Sequence, residues 1–397
     1  IRTANTYANH RHKTGQITPY HMEVTDSVTD QIMIELLEKS EYSKRRELVK
    51  WFNHENLRLK KGLAISPVKF GISFTLTHLN QAGALVHVYY DGSIHLNHGG
   101  TEMGQGLFTK IAQVAATVFG ITLSSVKITA TDTSKVPNTS ATAASSGSDL
   151  NGMAVKFACE TIKQRLTNFA AKHYNTHADL IKFGNGVIKI DKQKISFAEL
   201  ASLAYQNRIS LSSTGFYATP KIEWDRKAGK GRPFFYFSYG ASVTEIVIDT
   251  LTGENRILRT DIIHDVGKSL NPAIDLGQIE GGYVQGAGWL TTEELVWDNK
   301  GVLKTHAPST YKIPACSDRP DIFNVTLWDK GKNTEDTIYK SKAVGEPPFM
   351  LGISAFLALS DAIAATGDKS IYPDLQAPAT AEQILKAVNR QKGLKWD

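Results

Sequence analysis

The chain has 397 residues, 41% hydrophobic and 21% charged, with a formal net charge of +6. These values suit a soluble globular protein of two or three domains with a sizeable core. Its two cysteines, Cys159 and Cys316, are far apart and in no CxxC spacing. That excludes an iron–sulfur cluster or a cysteine-rich zinc site carried by this chain alone, and it fits a reducing, cytoplasmic setting. The densest basic group, Lys44, Arg45, Arg46, Lys50, Arg58, Lys60 and Lys61, is interleaved with Glu41, Glu47 and Glu55. It reads as a solvated helix surface rather than a nucleic-acid face. The start IRTANTYANHRHK has no apolar signal core, and Ser354, Ser360 and Asp361 interrupt the best candidate for a membrane span.

In chain order, residues 25–40 read as a helix with Ser27 and Asp30 in capping spacing, and residues 41–61 as a second helix. Residues 62–66 and 69–76 have the pattern of strands. Residues 85–90 and 93–96, joined at Asp91-Gly92, predict a hairpin with a two-residue turn. That register puts His87 and His98 on one face and His95 on the other. A helix is expected over 107–119, a strand over 126–131, a helix over 149–171 and a short hairpin within 182–197. A polar stretch, 221–232, is the expected boundary. Beyond it come a hairpin over 235–263, a helix over 275–290, strands near 294–297 and 323–327, a mostly buried helix over 349–365, and a final helix over 379–390 capped by Thr380. The plan is α+β, with strands and hairpins followed by helices in each half. The expected divisions are 1–61, a helical tail of something upstream; 62–220; and 221–397.

Four segments place small or hydroxyl residues at helix starts. Gly99-Gly100-Thr101-Glu102-Met103-Gly104-Gln105-Gly106 lets a ligand approach the backbone, with the free N–H groups of the next helix pointing at it. It matches neither a phosphate loop nor a dinucleotide fingerprint. Residues 138–148, NTSATAASSGS, form a donor-rich pocket wall. Residues 277–288 repeat glycines on a helical face, where Gly281 and Gly288 suit helix packing and Gln278 is free to face a ligand. Lys342-Ala343-Val344-Gly345-Glu346-Pro347-Pro348-Phe349 sets one carboxylate before a proline pair that opens the apolar helix. Convergence of these helix starts would build a site for one bulky, anionic ligand with Glu346 as the single general base, a carboxylate that beside buried surface must be hydrogen-bonded, paired or raised in pKa. No histidine pair has metal-ligand spacing, and no GxSxG marks a hydrolase.

These segments carry a resemblance. GGTEMGQG, SATAASSGSDLNG, SLNPAIDLGQIEGGYVQG and SKAVGEPPFMLG, with KFGISF at 69–74 and PSTYKIPA at 308–315, resemble the molybdenum-binding portion of the xanthine dehydrogenase family of molybdenum hydroxylases. The match runs from about residue 61 to 365 in family order. It implies an elongated molybdenum-cofactor domain of two α/β subdomains and a molybdenum–pyranopterin cofactor, as the simple pterin or as its dinucleotide, that is held through its dithiolene and by no protein ligand. Glu346 would be the catalytic base in hydroxylation of a purine, hypoxanthine or xanthine, to urate. Phe74 and Thr75 match substrate contacts; Met103, Gln105, Ala144, Ser145 and Gln278 match cofactor contacts. The family's iron–sulfur clusters, flavin and upstream FRGFGGP segment are missing. The resemblance therefore implies the C-terminal part of a molybdenum subunit, with the upstream half and an iron–sulfur/FAD domain or subunit as partners in a dimer or hetero-oligomer. The competing readings are an aldehyde or N-heterocycle hydroxylase, a non-catalytic assembly subunit, and, from the basic charge alone, a nucleic-acid binder.

Overall fold

A computed structural model describes residues 2–7, 16–135, 139–368 and 370–394; Asn138 of the hydroxyl-rich segment lies outside them. Helices α1 (Thr29–Lys39) and α2 (Tyr42–Glu55) precede strand β1 (Leu59–Ile72). Then come β2 (Gln81–Val88), β3 (Ile94–His98), α3 (Leu107–Phe119), β4 (Val126–Ile128) and α4 (Gly147–His173). After a small three-stranded meander within 181–196 follow α5 (Phe197–Gln206) and β5 (Ser212–Ala218). The chain continues through β6 (Tyr236–Asp249), β7 (Asn255–Asp265), α6 (Pro272–Thr291), β8 (Ile322–Leu327), α7 (Ile353–Ala364) and α8 (Ala381–Gln391).

Two four-stranded sheets, ordered β5-β2-β3-β4 and β8-β7-β6-β1, carry the fold. The first packs against α3 and α4, with Val86, Leu96, Ile111, Ala154 and Ile162 in one apolar core. The α4 backbone comes so close to β5 that a side chain on Gly215 would sit 2.0 Å from Ala154 O. The second sheet is covered on both faces. Along β6, Phe237, Tyr239, Ala241 and Val243 meet Ile32, Met33 and Leu36 of α1. The alternate residues Ser242 and Thr244 face the other way. They bond Ser354 of α7, and Thr244 also bonds the Tyr283 hydroxyl of α6, so the buried hydroxyls satisfy one another.

The structure departs from several expectations. Helix α2 stops at Glu55 because Lys60 turns back and donates to Asn53 O and Asn56 O, the free carbonyls at its C-terminus. The chain then runs as one strand through residue 72, paired along its length with β6. Residues 59–72 thus belong with the second sheet, and this pairing crosses the divisions drawn at 62 and 221. Val28, with no side-chain cap, starts α1, because the Ser27 hydroxyl donates to Tyr7 O instead. The β2–β3 register pairs His87 with His95 and Ala84 with His98, one residue off the two-residue turn. Tyr89 N donates to Ser93 O around a longer loop, and a one-residue slip exchanges faces. His87 and His95 are therefore stacked neighbours, while His98 is buried. Near residue 297 there is only a bridge between Trp297 and Leu303.

Residues 347–364 do reach the length and mean hydropathy, 1.5, of a membrane span, contrary to the expectation from their polar interruptions. They form a 3-10 turn, Pro347–Gly352, followed by α7. Ala358, Leu359, Ala362 and Ile363 pack into the core with Ile246 and Ile248. Asp361 accepts from Arg46 and from Leu63 N–H.

Candidate functional site

The starts of α3, α4 and α6 meet residues 341–346 around a cavity of about 340 Å³. Met103, Gln105, Ser145, Gln278 and Glu346 all line it. Ala144 sits between two lining residues, Ala143 and Ser145. Phe74 and Thr75 are outside the lining. Phe74 is half-buried on the loop after β1, where Asn80 bonds both its N–H and its carbonyl, and Thr75 is exposed.

Glu346 is held by one side chain from across the chain. The Ser145 hydroxyl donates to Glu346 Oε2 at 2.8 Å and accepts from Glu346 N–H at 2.8 Å. Ala144 and Ser145 both adopt left-handed backbone, with φ of 53° and 57°, a conformation non-glycine residues seldom take. That bend aims Ser145 at Glu346. Behind Glu346, the 347–352 turn lies on α6, where a Cβ at Gly286 would sit 2.0 Å from Phe349 O. Gly282 makes the neighbouring contact with Pro348, and Gly288 meets Pro314. Gly281, expected to pack, is exposed with nothing beside it. Glu346 is exposed too, so this chain does not supply the burial expected for it.

The glycine loop also differs from expectation. The first N–H groups after it are taken: Glu102 accepts from Gly104, Gly106 and Phe108 N–H at 2.9–3.0 Å. Burial raises the Glu102 pKa, but these backbone bonds outweigh it and hold the carboxyl below its usual range. The loop thus carries its own anion. Gln105 braces it, donating to Thr101 O and accepting from Met103 N–H. Helix α4 is different. No side chain caps its start, and Gly147 and Ser148 line the cavity.

The cavity floor holds charges that sequence reasoning missed. Lys110 pairs with Asp275, and Lys342 pairs with Asp265 at 2.7 Å; all four are buried. Asp149 accepts from the Tyr236 hydroxyl at 2.6 Å. Burial raises Asp149 to about 7 against the opposing Tyr236 bond and Lys110 charge. Lys110 had a visible signal, a cation within the apolar face of Leu107, Ile111 and Val114. Asp149 resembled an ordinary helix-start acid.

A family model described as the molybdopterin cofactor-binding domain matches residues 35–320. The chain belongs to that family. It is 46% identical over 390 residues to a xanthine dehydrogenase of Dictyostelium discoideum, covering 97% of this chain and 27% of that protein. It is 47% identical over 376 residues to a xanthine dehydrogenase/oxidase of Gallus gallus, covering 94% and 26%. The chain therefore spans about a quarter of the length of these curated relatives. Among solved structures, quinoline 2-oxidoreductase from Pseudomonas putida 86 superposes with a TM-score of 0.83 at 20% identity, over 98% of this chain and 49% of that one. The aldehyde oxidoreductase of Desulfovibrio desulfuricans gives 0.74 at 22%, over 97% and 38%. The fold is thus that of molybdenum-cofactor domains.

The residues of the cavity fit a molybdopterin cofactor. The uncapped α4 start suits an anionic group, and Lys110 and Lys342 add buried N–H donors whose charges Asp275 and Asp265 balance. The Gln278 carboxamide lines the cavity with no hydrogen-bond partner among the described residues. Among those residues no three His, Cys, Asp or Glu side chains cluster as metal ligands.

Proposed function

We propose that this chain is the C-terminal part of the molybdenum-binding portion of a xanthine dehydrogenase, and that the assembled protein hydroxylates hypoxanthine and xanthine to urate in purine catabolism. The observation that carries this reading is the Ser145–Glu346 clamp at one cavity with Gln105 and Gln278. Similarity to xanthine dehydrogenases along nearly the whole chain supports the choice of substrate.

Met103, Gln105, Ala144, Ser145, Gln278 and the α4 start would hold the molybdenum–pterin. When bound, that group supplies the redox chemistry, activating an oxygen derived from water and accepting two electrons. Glu346 acts as general base. Ser145 holds Oε2, so the carboxylate is fixed with Oε1 left to take a proton. The left-handed bend at 144–145 and the Gly286 contact keep both partners in place. By the family resemblance Phe74 and Thr75, which lie outside the cavity lining, would contact the flat substrate. Water exclusion comes from the partners we propose, the upstream half of the molybdenum domain together with an iron–sulfur/FAD domain or subunit, assembled as a dimer or hetero-oligomer in the cytoplasm.

Elemental mass spectrometry on the assembled protein should find about one molybdenum per chain. Glu346→Gln should keep the metal and lose turnover with xanthine. Activity on aldehydes with none on purines would transfer the reading to an aldehyde hydroxylase. A folded, molybdenum-free assembly from cells that make the cofactor would point to a non-catalytic subunit.

A further inference from the structure

On the hydroxylase reading, converting a C–H bond and water into C–OH sends two electrons to the cofactor and releases two protons. Glu346 can hold one of them. Besides the Lys110–Asp275 pair, two further ionisable side chains, Asp149 and Lys342, line the same cavity, and both are buried. Each leads away from it through polar contacts.

The Tyr236 hydroxyl donates to Asp149 at 2.6 Å and accepts from Ala343 N–H at 2.8 Å. Tyr236 also lines a second cavity of about 480 Å³, shared with His21, Glu23 and Asp26. His21 and Glu23 are exposed, so this cavity opens to solvent. Lys342 Nζ bonds Asp265 at 2.7 Å and faces Asp26 Oδ2 at 3.7 Å. That buried oxygen accepts no hydrogen bond from the described residues, although the Tyr239 hydroxyl holds the other oxygen of Asp26 at 3.0 Å. Asp26, Asp265 and Lys342 line a third cavity with Lys330 and Lys332, which are exposed. Lys342 thus borders the cofactor cavity on one side and a solvent-open cleft on the other.

We propose that Asp149 with Tyr236, and Lys342 with Asp265 and Asp26, form a proton outlet from the cofactor cavity to these two outer clefts. In the first arm a proton released in the reaction leaves a water of the cofactor cavity, whose O–H bond breaks as an O–H bond forms on Asp149. The Tyr236 hydroxyl turns from Asp149 and gives its own proton to water in the second cavity as its oxygen takes the Asp149 proton, and it then turns back. In the second arm the Lys342 ammonium gives a proton to Asp26 Oδ2, which passes it to water in the third cavity, and Lys342 takes another from the cofactor cavity. No electrons move, and each residue returns to its starting state. Burial supports the assignment, because it puts Asp149 at about 7, where uptake and release near neutrality are both easy. The groups facing Asp149 are Tyr236, Lys110 and Tyr217. Those facing Lys342 are Asp265, Asp26, Tyr239 and His264. Asp149 and Lys342 act through the proton and touch no reacting carbon, so they are positioning residues.

The test uses the complete molybdenum protein. Infrared titration without substrate should reveal a protonated carboxyl band that titrates near pH 7 and shifts in D2O. Asp149→Asn should delete it, and Tyr236→Phe should move its midpoint by about one pH unit. In single-turnover reduction by xanthine, normalised to molybdenum content, Asp149→Asn and Asp26→Asn should each slow the step about tenfold and raise its solvent isotope effect. Tyr236→Phe serves where Asp149→Asn does not fold. The outlet is overturned if the band is absent from the wild type or persists in Asp149→Asn. It is equally overturned if rates and isotope effects match the wild type in all variants. A wild-type protein that shows the band but is reduced by no purine or aldehyde supports the titrating arm and overturns the hydroxylase reading instead.

Discussion

Replacing Ser145 by alanine should separate the orientation of Glu346 from its basicity. The hydroxyl makes two 2.8 Å bonds, one to the carboxylate and one from the backbone N–H of the same residue. Hydrogen bonds to charged groups contribute about 1.5–3 kcal/mol, and water competes at an exposed carboxylate, so about 1.5 kcal/mol is the fair figure. One tenfold step in rate corresponds to about 1.4 kcal/mol. Serine and alanine meet the same penalty at φ 57°, so the substitution isolates the hydroxyl. Ser145→Ala in the assembled protein should therefore lower kcat/KM for xanthine about tenfold per molybdenum, against about 10²–10⁴-fold for Glu346→Gln. The two changes act on one device, so the double variant should be no slower than Glu346→Gln alone. Wild-type rates in Ser145→Ala would refute the clamp, as would a double variant slower by the product of the two effects.

Lys110→Met should strand the buried Asp275 and cost about 3–5 kcal/mol in urea unfolding, whereas Lys110→Met with Asp275→Leu should recover most of that. Gly286→Ala should push α6 from the 347–352 turn, costing about 1–3 kcal/mol or more, seen as a lower Tm with reduced molybdenum content. Asp149 gives a stability slope with a definite sign. Its folded pKa of about 7 is above the unfolded value of 3.8, so the folded state holds the extra proton between them. Stability from this group is therefore present at low pH and declines as pH rises from about 4 to about 7, by at most about 4 kcal/mol. Asp149→Asn should flatten that part of the curve, and an unchanged slope would contradict the assignment.

Local features of the sequence were readable because local physics sets them. Thr380 accepts from Gln383 N–H as its position foretold, and the α3, α4 and α6 starts lie near their expected places. The candidate residues Met103, Gln105, Ser145, Gln278 and Glu346 meet at one cavity. What escaped depends on partners distant in the chain. Asp149 owes its burial and its hydrogen bond to Tyr236, 87 positions away. The strand of residues 59–72 begins inside a charge run that reads as helix surface, and only the folded chain brings Lys60 back to cap α2. The histidine faces turned on one extra loop residue in the β2–β3 hairpin. The vacant helix start expected after Gly106 was filled by Glu102, which serves the loop from within.

The ties across the cavity also constrain the order in which the molecule matures. Ser145 and Glu346 are 201 positions apart, and Lys110 and Asp275 are 165 apart. Closing loops of that length is entropically unfavourable until both sheets exist. The cavity lining spans Met103 to Glu346, so it is complete only once the chain through Glu346 is in place.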